Sequence, residues 1–239
     1  MYTIQQEVNT VMKKAFIPTW VHALADYSTM FDLTESDLQR RILDYPAGIS
    51  SFNAEMVAQG HKQVVSADQY YGLSPLDMVK HVDGVIQELS EKIDQYREHL
   101  HEVGEKTQEN LLNVWNQYAQ RFLADYSIGQ QEGRYCVAFL PHLPFADNSF
   151  ELALCPDLIF REPSFSREQV VLELCRVAHE VRVFPLLSQT GEIASELGPM
   201  MLSLQQLNLG VEVKHVPYAL LKKSNAMLRI WNRECVVAA

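Results

Sequence analysis

The stretch ILDYPAGISSF, residues Ile42 to Phe52, runs from an apolar strand through a turn of small residues into the start of a helix. Asp44 is the acid at the carboxyl end of the predicted strand, and residues 46–48 form a tight turn. Ser50 or Ser51 then caps the helix. Since α/β proteins build nucleotide pockets from this succession of elements, the stretch predicts an α/β fold with a ligand site at the strand end.

A second apolar run, Val64 to Ala67, ends in Asp68, twenty residues beyond Gly48. A carboxylate at this spacing can accept hydrogen bonds from the two hydroxyls of a ribose. The alternative is an ordinary acid at a strand end, because the turn lacks the Gly-x-Gly of a dinucleotide fingerprint.

The downstream segment LPHLPFADNSFELALC, Leu140 to Cys155, carries a more specific pattern. Its LPF-x-D-x-SF-D/E run resembles the class I S-adenosylmethionine-dependent methyltransferases, in which this run connects the third strand to the fourth beside the adenine. The matching residues are Leu143, Pro144, Phe145, Asp147, Ser149, Phe150 and Glu151. The resemblance spans Gln39 to Trp231 and is closest to uncharacterised bacterial methyltransferases with a long helical insert after the second strand.

The resemblance implies S-adenosylmethionine as the cofactor and assigns residues to its parts. Beneath the methionine part it places Asp44, Pro46, Ala47 and Gly48. It assigns the ribose to Asp68 and places Gln69 beside the adenine. On the base and sulfonium side it places Phe139, Leu140 and Cys155.

Three residues depart from the family pattern. Pro46 and Ser50 stand where glycines are usual, and Phe139 replaces the usual adenine-binding acid. Pro46 has no N–H, so it can contact a cofactor only through its carbonyl or by packing. Phe139 can pack against a purine but cannot accept a hydrogen bond from the purine amino group.

A dinucleotide-binding oxidoreductase is the competing interpretation, since it uses the same strand, turn, helix and acid. The three-glycine fingerprint is absent, because Pro46, Gly48 and Ser51 occupy its positions. Two β-rich runs near the end of the chain, Val211 to Tyr218 and Ala226 to Trp231, also predict an antiparallel hairpin. Sheets of the methyltransferases that the chain resembles end in such a strand.

Strands alternate with helices along the chain and predict a doubly wound α/β fold. We expect a mostly parallel, seven-stranded, Rossmann-like sheet that ends in the antiparallel hairpin. Residues 1–38 are predicted to be N-terminal helices and residues 39–239 a methyltransferase-like domain. Within this domain, residues 70–129 form the predicted helical insert.

The second helix of the insert carries an aromatic-rich stripe. Its members are Leu111, Trp115, Tyr118, Phe122 and Tyr126. We expect this stripe to pack on the first insert helix, where Leu76, Val79 and Val82 begin the apolar face, and on the sheet. A substrate lid or a homodimer interface is the alternative role for the stripe.

The same patterns predict the bounds of further elements. The first insert helix begins at Ser74 and ends at Gly104. Strands are predicted at Tyr135 to Leu140 and Glu180 to Leu187, and a late helix at Gly198 to Gly210. The face of a first N-terminal helix is marked by Val8, Val11, Met12 and Phe16, and that of a second by Trp20, Leu24, Tyr27 and Phe31.

Composition narrows the classes of function. The chain has 239 residues, 47% of them hydrophobic, which is enough for one α/β domain with an elaboration. Its formal net charge of -10 argues against a broad nucleic-acid-binding surface. The four cysteines are widely spaced and indicate neither a metal site nor a disulfide framework. They are Cys136, Cys155, Cys175 and Cys235. We expect a cytoplasmic protein, because no stretch is apolar enough for a membrane span.

The resemblance implies methyl transfer from S-adenosylmethionine to an unidentified small-molecule acceptor. Such a transfer depends on alignment more than on a side-chain nucleophile, so the pattern assigns no catalytic residue. Asp157, just after the fourth strand, either orients or deprotonates the acceptor or caps the following turn. The alternative function is a cofactor-binding or protein-interaction module without turnover, which Pro46, Ser50 and Phe139 favour.

Overall fold

A central sheet of seven strands organises the computed structural model, which describes residues 20–160 and 166–233. The strands are β1 Ile42–Asp44, β2 Val64–Asp68, β3 Tyr135–Val137, β4 Phe150–Pro156, β5 Ala178–Phe184, β6 Leu209–His215 and β7 Ala226–Asn232. Their order in the sheet is β3-β2-β1-β4-β5-β7-β6. The first five strands pair in parallel, and β7 is antiparallel to both β5 and β6. The prediction of a doubly wound, mostly parallel sheet with a C-terminal antiparallel hairpin is confirmed.

Helices connect the strands in the described part of the chain. They are α1 Leu24–Met30, α2 Glu35–Leu38, α3 Phe52–Ala58, α4 Pro75–Tyr96, α5 Leu111–Gln131, α6 Arg167–Val177 and α7 Leu197–Gln206. The predicted first N-terminal helix, with Val8, Val11, Met12 and Phe16, lies outside the described residues. No helix of the described ranges combines the length and the apolar character that crossing a bilayer requires.

The sheet is covered on both faces because successive side chains of a strand point to opposite sides. Ile42 of β1 belongs to the core beneath α1, α3, α4 and α5. Its neighbour Leu43 belongs to the second core, beneath α6 and α7. Both side chains are fully buried, which explains the continuous apolar character of this short strand.

The long helices α4 and α5 follow β2 and pack on each other and on the first core. The stripe residues Leu111, Trp115, Phe122 and Tyr126 of α5 are buried, and Trp115 contacts the ring of Trp20 at a centroid distance of 4.9 Å. The expected packing of this stripe is confirmed.

Two expectations about α4 are wrong. Leu76 and Val79 are exposed, because Met78 is the residue of the first turns that shares the buried face with Val82. The helix ends at Tyr96, well before Gly104. The chain leaves the helix there because Leu100 forms a β-bridge with Leu221.

Other boundaries differ by a few residues. Strand β3 ends at Val137, because Phe139 turns back to form a bridge with His142. Strand β5 covers residues 178–184, so it begins and ends earlier in the sequence than the predicted strand at residues 180–187. Helix α7 is shorter than predicted. These differences leave the order of the elements unchanged.

Candidate functional site

A cavity of about 430 Å³ lies at the carboxyl edge of the parallel strands. Its volume falls in the range of small-ligand sites, and its position is the usual one for ligands of open α/β sheets. It is lined by Trp20, His22, Tyr27, Tyr45, Pro46, Ala47, Gly48, Ile49, Asp68, Gln69, Tyr70, His81, Val85, Glu88, Phe139, Leu140, Pro156, Asp157 and Leu158. The segments that follow β1, β2, β3 and β4 thus meet in one place, together with α1, α4 and the residues before α1.

The turn after β1 is held by hydrogen bonds to the neighbouring strand. The Gly48 N–H donates to Asp68 Oδ2 at 3.0 Å, and the Tyr71 hydroxyl donates to the Gly48 carbonyl at 2.7 Å. Gly48 has a φ of +56°, a left-handed conformation that glycine adopts without steric cost, and the space where a Cβ would stand is open. The turn therefore presents bare backbone to the cavity.

Asp68 joins the turn to the end of β2. In addition to the Gly48 N–H, its carboxylate accepts the Tyr70 N–H, at 3.0 Å to Oδ1. Burial raises the pKa of Asp68, while the hydrogen bonds from the Tyr70 and Gly48 backbones act in the opposite direction. Since each carboxylate oxygen has two lone pairs, both oxygens retain capacity for a ligand hydroxyl.

Asp44 lies beneath the cavity and is not among its lining residues. Its side chain is fully buried and accepts the Tyr27 hydroxyl at 2.8 Å and the Ser66 hydroxyl at 2.9 Å. Burial raises the pKa of Asp44 to about 7. The structure therefore gives Asp44 a role in supporting Tyr27, which does line the cavity.

The raised pKa of Asp44 predicts a pH dependence of stability. An unfolded aspartate has a pKa of about 3.9 and loses its proton before the folded one, so between that pH and about 7 the unfolded state binds fewer protons. Stability then falls as the pH rises through this window, by on the order of 4 kcal/mol. In Asp44→Asn the fall in stability with rising pH should disappear. Urea denaturation of both proteins between pH 5 and pH 8 measures the free energy of unfolding that tests this. Parallel pH profiles for the two proteins would contradict the assignment.

Five further residues of the predicted site line the cavity. They are Pro46, Ala47, Gln69, Phe139 and Leu140. The ring of Phe139 is 57% exposed and so offers an apolar surface at the cavity wall.

Cys155 does not line the cavity. Its side chain is fully buried in the core beneath α6 and α7, because alternation along β4 turns it to the face opposite Leu154. The same burial raises the pKa of its thiol. The position of Cys155 in this core therefore disagrees with the expectation that it contacts the cofactor.

A pair of side chains whose contact the sequence did not predict lines the cavity. His22 Nε2 is 3.1 Å from Asp157 Oδ2, and both residues are buried. Asp157 has a φ of +54°, a conformation that asparagine and aspartate tolerate better than other non-glycine residues. Asp157 was a candidate from its place after β4, whereas nothing in the sequence around His22 distinguishes it from an ordinary histidine.

A second unforeseen contact connects α4 to the end of β2. The rings of Tyr70 and His81 stack with centroids 4.3 Å apart, and both line the cavity. Burial lowers the pKa of His81, which favours the neutral ring. The long helix α4 therefore forms one wall of the cavity.

The charged residues of the cavity wall are acidic. Asp68, Glu88 and Asp157 contribute to the wall, and no lysine or arginine of residues 20–160 and 166–233 does. The same ranges contain no cluster of three or more histidine, cysteine, aspartate or glutamate side chains suited to a metal ion. The site thus favours a neutral or cationic ligand over an anionic one.

Comparison with known proteins gives distant relatives. No protein-family model matches the chain. An uncharacterised protein of Methanocaldococcus jannaschii is 24% identical over 217 residues, which is 86% of this chain and 91% of that protein.

Two solved structures resemble the chain over most of its length. A Pyrococcus horikoshii protein aligns with a TM-score of 0.45 and 15% identity, over 88% of this chain and 90% of that one. A Thermotoga maritima protein, described as an S-adenosylmethionine-dependent methyltransferase and possible histamine N-methyltransferase, aligns with a TM-score of 0.39 and 12% identity. That alignment covers 87% of this chain and 86% of the other.

Proposed function

We propose that the protein is an S-adenosylmethionine-dependent methyltransferase that acts on a small-molecule acceptor. The observation that carries this proposal is the bond between the Gly48 N–H and Asp68 at the carboxyl edge of β1 and β2. It joins a bare-backbone turn to Asp68, the acid that the resemblance assigns to the ribose, and both residues line the same cavity.

The residues present fit this cofactor in four respects. Asp68 offers carboxylate oxygens to the ribose hydroxyls, and the open space at Gly48 allows close approach of the ligand to the backbone. The exposed ring of Phe139 and the side chain of Leu140 offer apolar contact to the base. Pro46 contributes packing, since it has no N–H to donate.

The chemistry demands little beyond this from the protein. When bound, S-adenosylmethionine supplies an activated methyl group for in-line transfer. The chain then has to hold the acceptor in line and keep water out, and positioning of this kind supplies roughly 7–11 kcal/mol of a reaction barrier. The buried walls formed by Trp20, Tyr27 and Ile49 suit both tasks.

Size and charge favour a small acceptor. A cavity of about 430 Å³ accommodates small ligands rather than a folded macromolecule. With a net charge of -10 and an acidic cavity wall, the protein would repel a nucleic acid. We therefore propose a small, non-anionic acceptor.

A binding module without turnover is the second candidate. Pro46 in the turn and Phe139 in place of an adenine-binding acid favour it, because each removes a polar contact to the cofactor. A module that binds the cofactor without turnover requires the cofactor to bind, as the enzyme does, whereas a protein-interaction module does not. The tests of binding below therefore separate the interaction module from the other two functions.

Asp68→Ala should weaken binding of S-adenosylmethionine by about ten- to a hundredfold, since charge-assisted hydrogen bonds contribute roughly 1.5–3 kcal/mol. The variant should also melt at a lower temperature, because the Gly48 and Tyr70 N–H groups lose their acceptor. Isothermal titration calorimetry and thermal denaturation measure the two effects.

Tyr71→Phe is the matched control for this variant. It removes the other hydrogen bond to Gly48 but leaves the carboxylate in place. It should lower stability and largely preserve affinity. Equal losses of affinity in both variants would show that Asp68 acts only by supporting the turn.

A further inference from the structure

His22 and Asp157 approach the cavity from two separate elements. His22 lies just before α1, and Asp157 follows β4. They are 5% and 8% exposed, and the Nε2–Oδ2 distance of 3.1 Å is that of a hydrogen bond. Both still line the cavity, so the pair is withdrawn from bulk water but open to a ligand.

The backbone on either side fixes the pair. The His22 carbonyl accepts the Ser51 N–H and the Ser50 hydroxyl, each at 3.0 Å. The Asp157 N–H donates to the Phe184 carbonyl at 2.7 Å. The backbone of His22 is therefore held against the turn after β1, on which the cofactor is proposed to lie, and the backbone of Asp157 against the neighbouring β5.

The hydrogen bond to Asp157 engages Nε2 and leaves Nδ1 as the ring nitrogen that a ligand can engage. Of the two tautomers of the uncharged ring, a carboxylate that accepts the Nε2 proton selects the one whose Nδ1 carries a lone pair. Histidine with a carboxylate behind it is the usual arrangement of a general base.

Three other polar side chains of the described cavity wall contact a neighbouring side chain, whereas the buried Trp20 Nε1 has no hydrogen-bond partner. The Tyr27 hydroxyl donates to Asp44, Glu88 is paired with Lys92, and His81 is stacked on Tyr70. Asp68 is the proposed ribose acceptor. His22 is thus the best-placed base of the described cavity wall.

We propose that His22 accepts a proton from the acceptor through Nδ1, with Asp157 as the positioning residue, and that the acceptor is an amine or hydroxyl compound that presents an N–H or O–H to this end of the cavity. The inference rests on the proposed function. It narrows the acceptor to a nucleophile that has a proton to lose on transfer.

The step balances in atoms and charge. The lone pair of the acceptor nitrogen or oxygen forms the new bond to the methyl carbon, and the carbon–sulfur bond breaks with its electron pair remaining on sulfur. The proton of the nucleophile moves to Nδ1, while the Nε2 proton stays on the ring beside Asp157. The resulting imidazolium is compensated by the carboxylate and releases its proton to solvent after the product leaves.

Sinefungin provides a probe that needs no knowledge of the acceptor. It carries an amine-bearing carbon where the cofactor has its methylated sulfonium, whereas S-adenosylhomocysteine has neither the methyl group nor the amine. The affinity ratio of the two ligands, measured by isothermal titration calorimetry, reports an acceptor for N–H at this position. For the unaltered protein we expect sinefungin to bind about tenfold tighter or more.

Four variants test which side chain causes the preference for sinefungin over S-adenosylhomocysteine. His22→Phe and Asp157→Asn should lose most of it, with the affinity for S-adenosylhomocysteine kept as the internal check on folding. His22→Asn should keep part of it, because its side-chain oxygen can stand near the Nδ1 position. His142→Phe makes the same change at a ring whose side chain is 88% exposed and outside the cavity, and it should keep the full preference.

Three results would overturn the inference in distinguishable ways. Equal affinity of the two ligands for the unaltered protein would contradict the proton-accepting role of His22 but not the proposed cofactor site. A preference that Asp157→Asn abolishes but His22→Phe retains would assign the contact to the carboxylate alone. If neither ligand binds the unaltered protein, the proposed function itself fails.

Discussion

Trp115→Ala should lower the free energy of unfolding by about 3–5 kcal/mol, the usual cost of deleting a large buried aromatic side chain. Trp115 is 1% exposed on α5, and its ring packs 4.9 Å from that of Trp20. The deletion leaves a cavity between α5 and Trp20. Urea denaturation with a two-state fit measures the loss.

Ile128→Ala on the same helix is the matched control. Ile128 is 56% exposed, so its truncation should change stability by no more than about 0.5 kcal/mol. A Trp115→Ala protein with normal stability but altered sedimentation would instead assign the aromatic stripe to an interface between subunits. That result would contradict the packing described for α4 and α5.

Gly48→Val should abolish measurable binding of S-adenosylmethionine. The added side chain would project into open space beside the turn, where the cofactor has to approach the backbone. The residue must also hold a φ of +56°, which a β-branched side chain adopts at considerable steric cost. Calorimetric titration of the folded variant measures the loss.

Gly104→Val separates the effect on the ligand from the effect on the backbone. Gly104 has a φ of +55°, and it too has no atom within 4 Å of an added Cβ, but it lies in the loop between α4 and α5. Its variant should lose a similar amount of stability and keep full affinity. If a folded Gly48→Val protein binds the cofactor normally, the cavity is not its site.

Much of the fold was predictable because it follows from local patterns. The apolar run that ends in Asp44 and the turn to Gly48 define the first strand and its helix. The predicted runs, residues 211–218 and 226–231, lie close together in sequence, and the antiparallel pairing of β6 and β7 followed from that short separation. Boundaries were less predictable where tertiary contacts end an element, as the bridge of Leu100 to Leu221 does after α4.

The site was predictable only in part. Gly48 and Asp68 were assigned to the site from the turn after β1 and from the spacing of the acid, and both line the cavity. The hydrogen bond between them was not predicted. Cys155 was misplaced because the resemblance gave its position along β4 but not which face of the sheet its side chain occupies. His22 was missed because its partner Asp157 is 135 residues away in sequence, and no local pattern connects them.

The central claim is that the cavity beside Gly48 and Asp68 binds S-adenosylmethionine. Isothermal titration of the unaltered protein with S-adenosylmethionine, S-adenosylhomocysteine and NAD tests it most directly. The account predicts one-to-one binding of the first two ligands at submillimolar concentration and no binding of NAD, whose pyrophosphate would meet an acidic wall without a glycine-rich cradle. Absence of binding of both methionine-derived ligands to folded protein, or binding of NAD in their place, would contradict it.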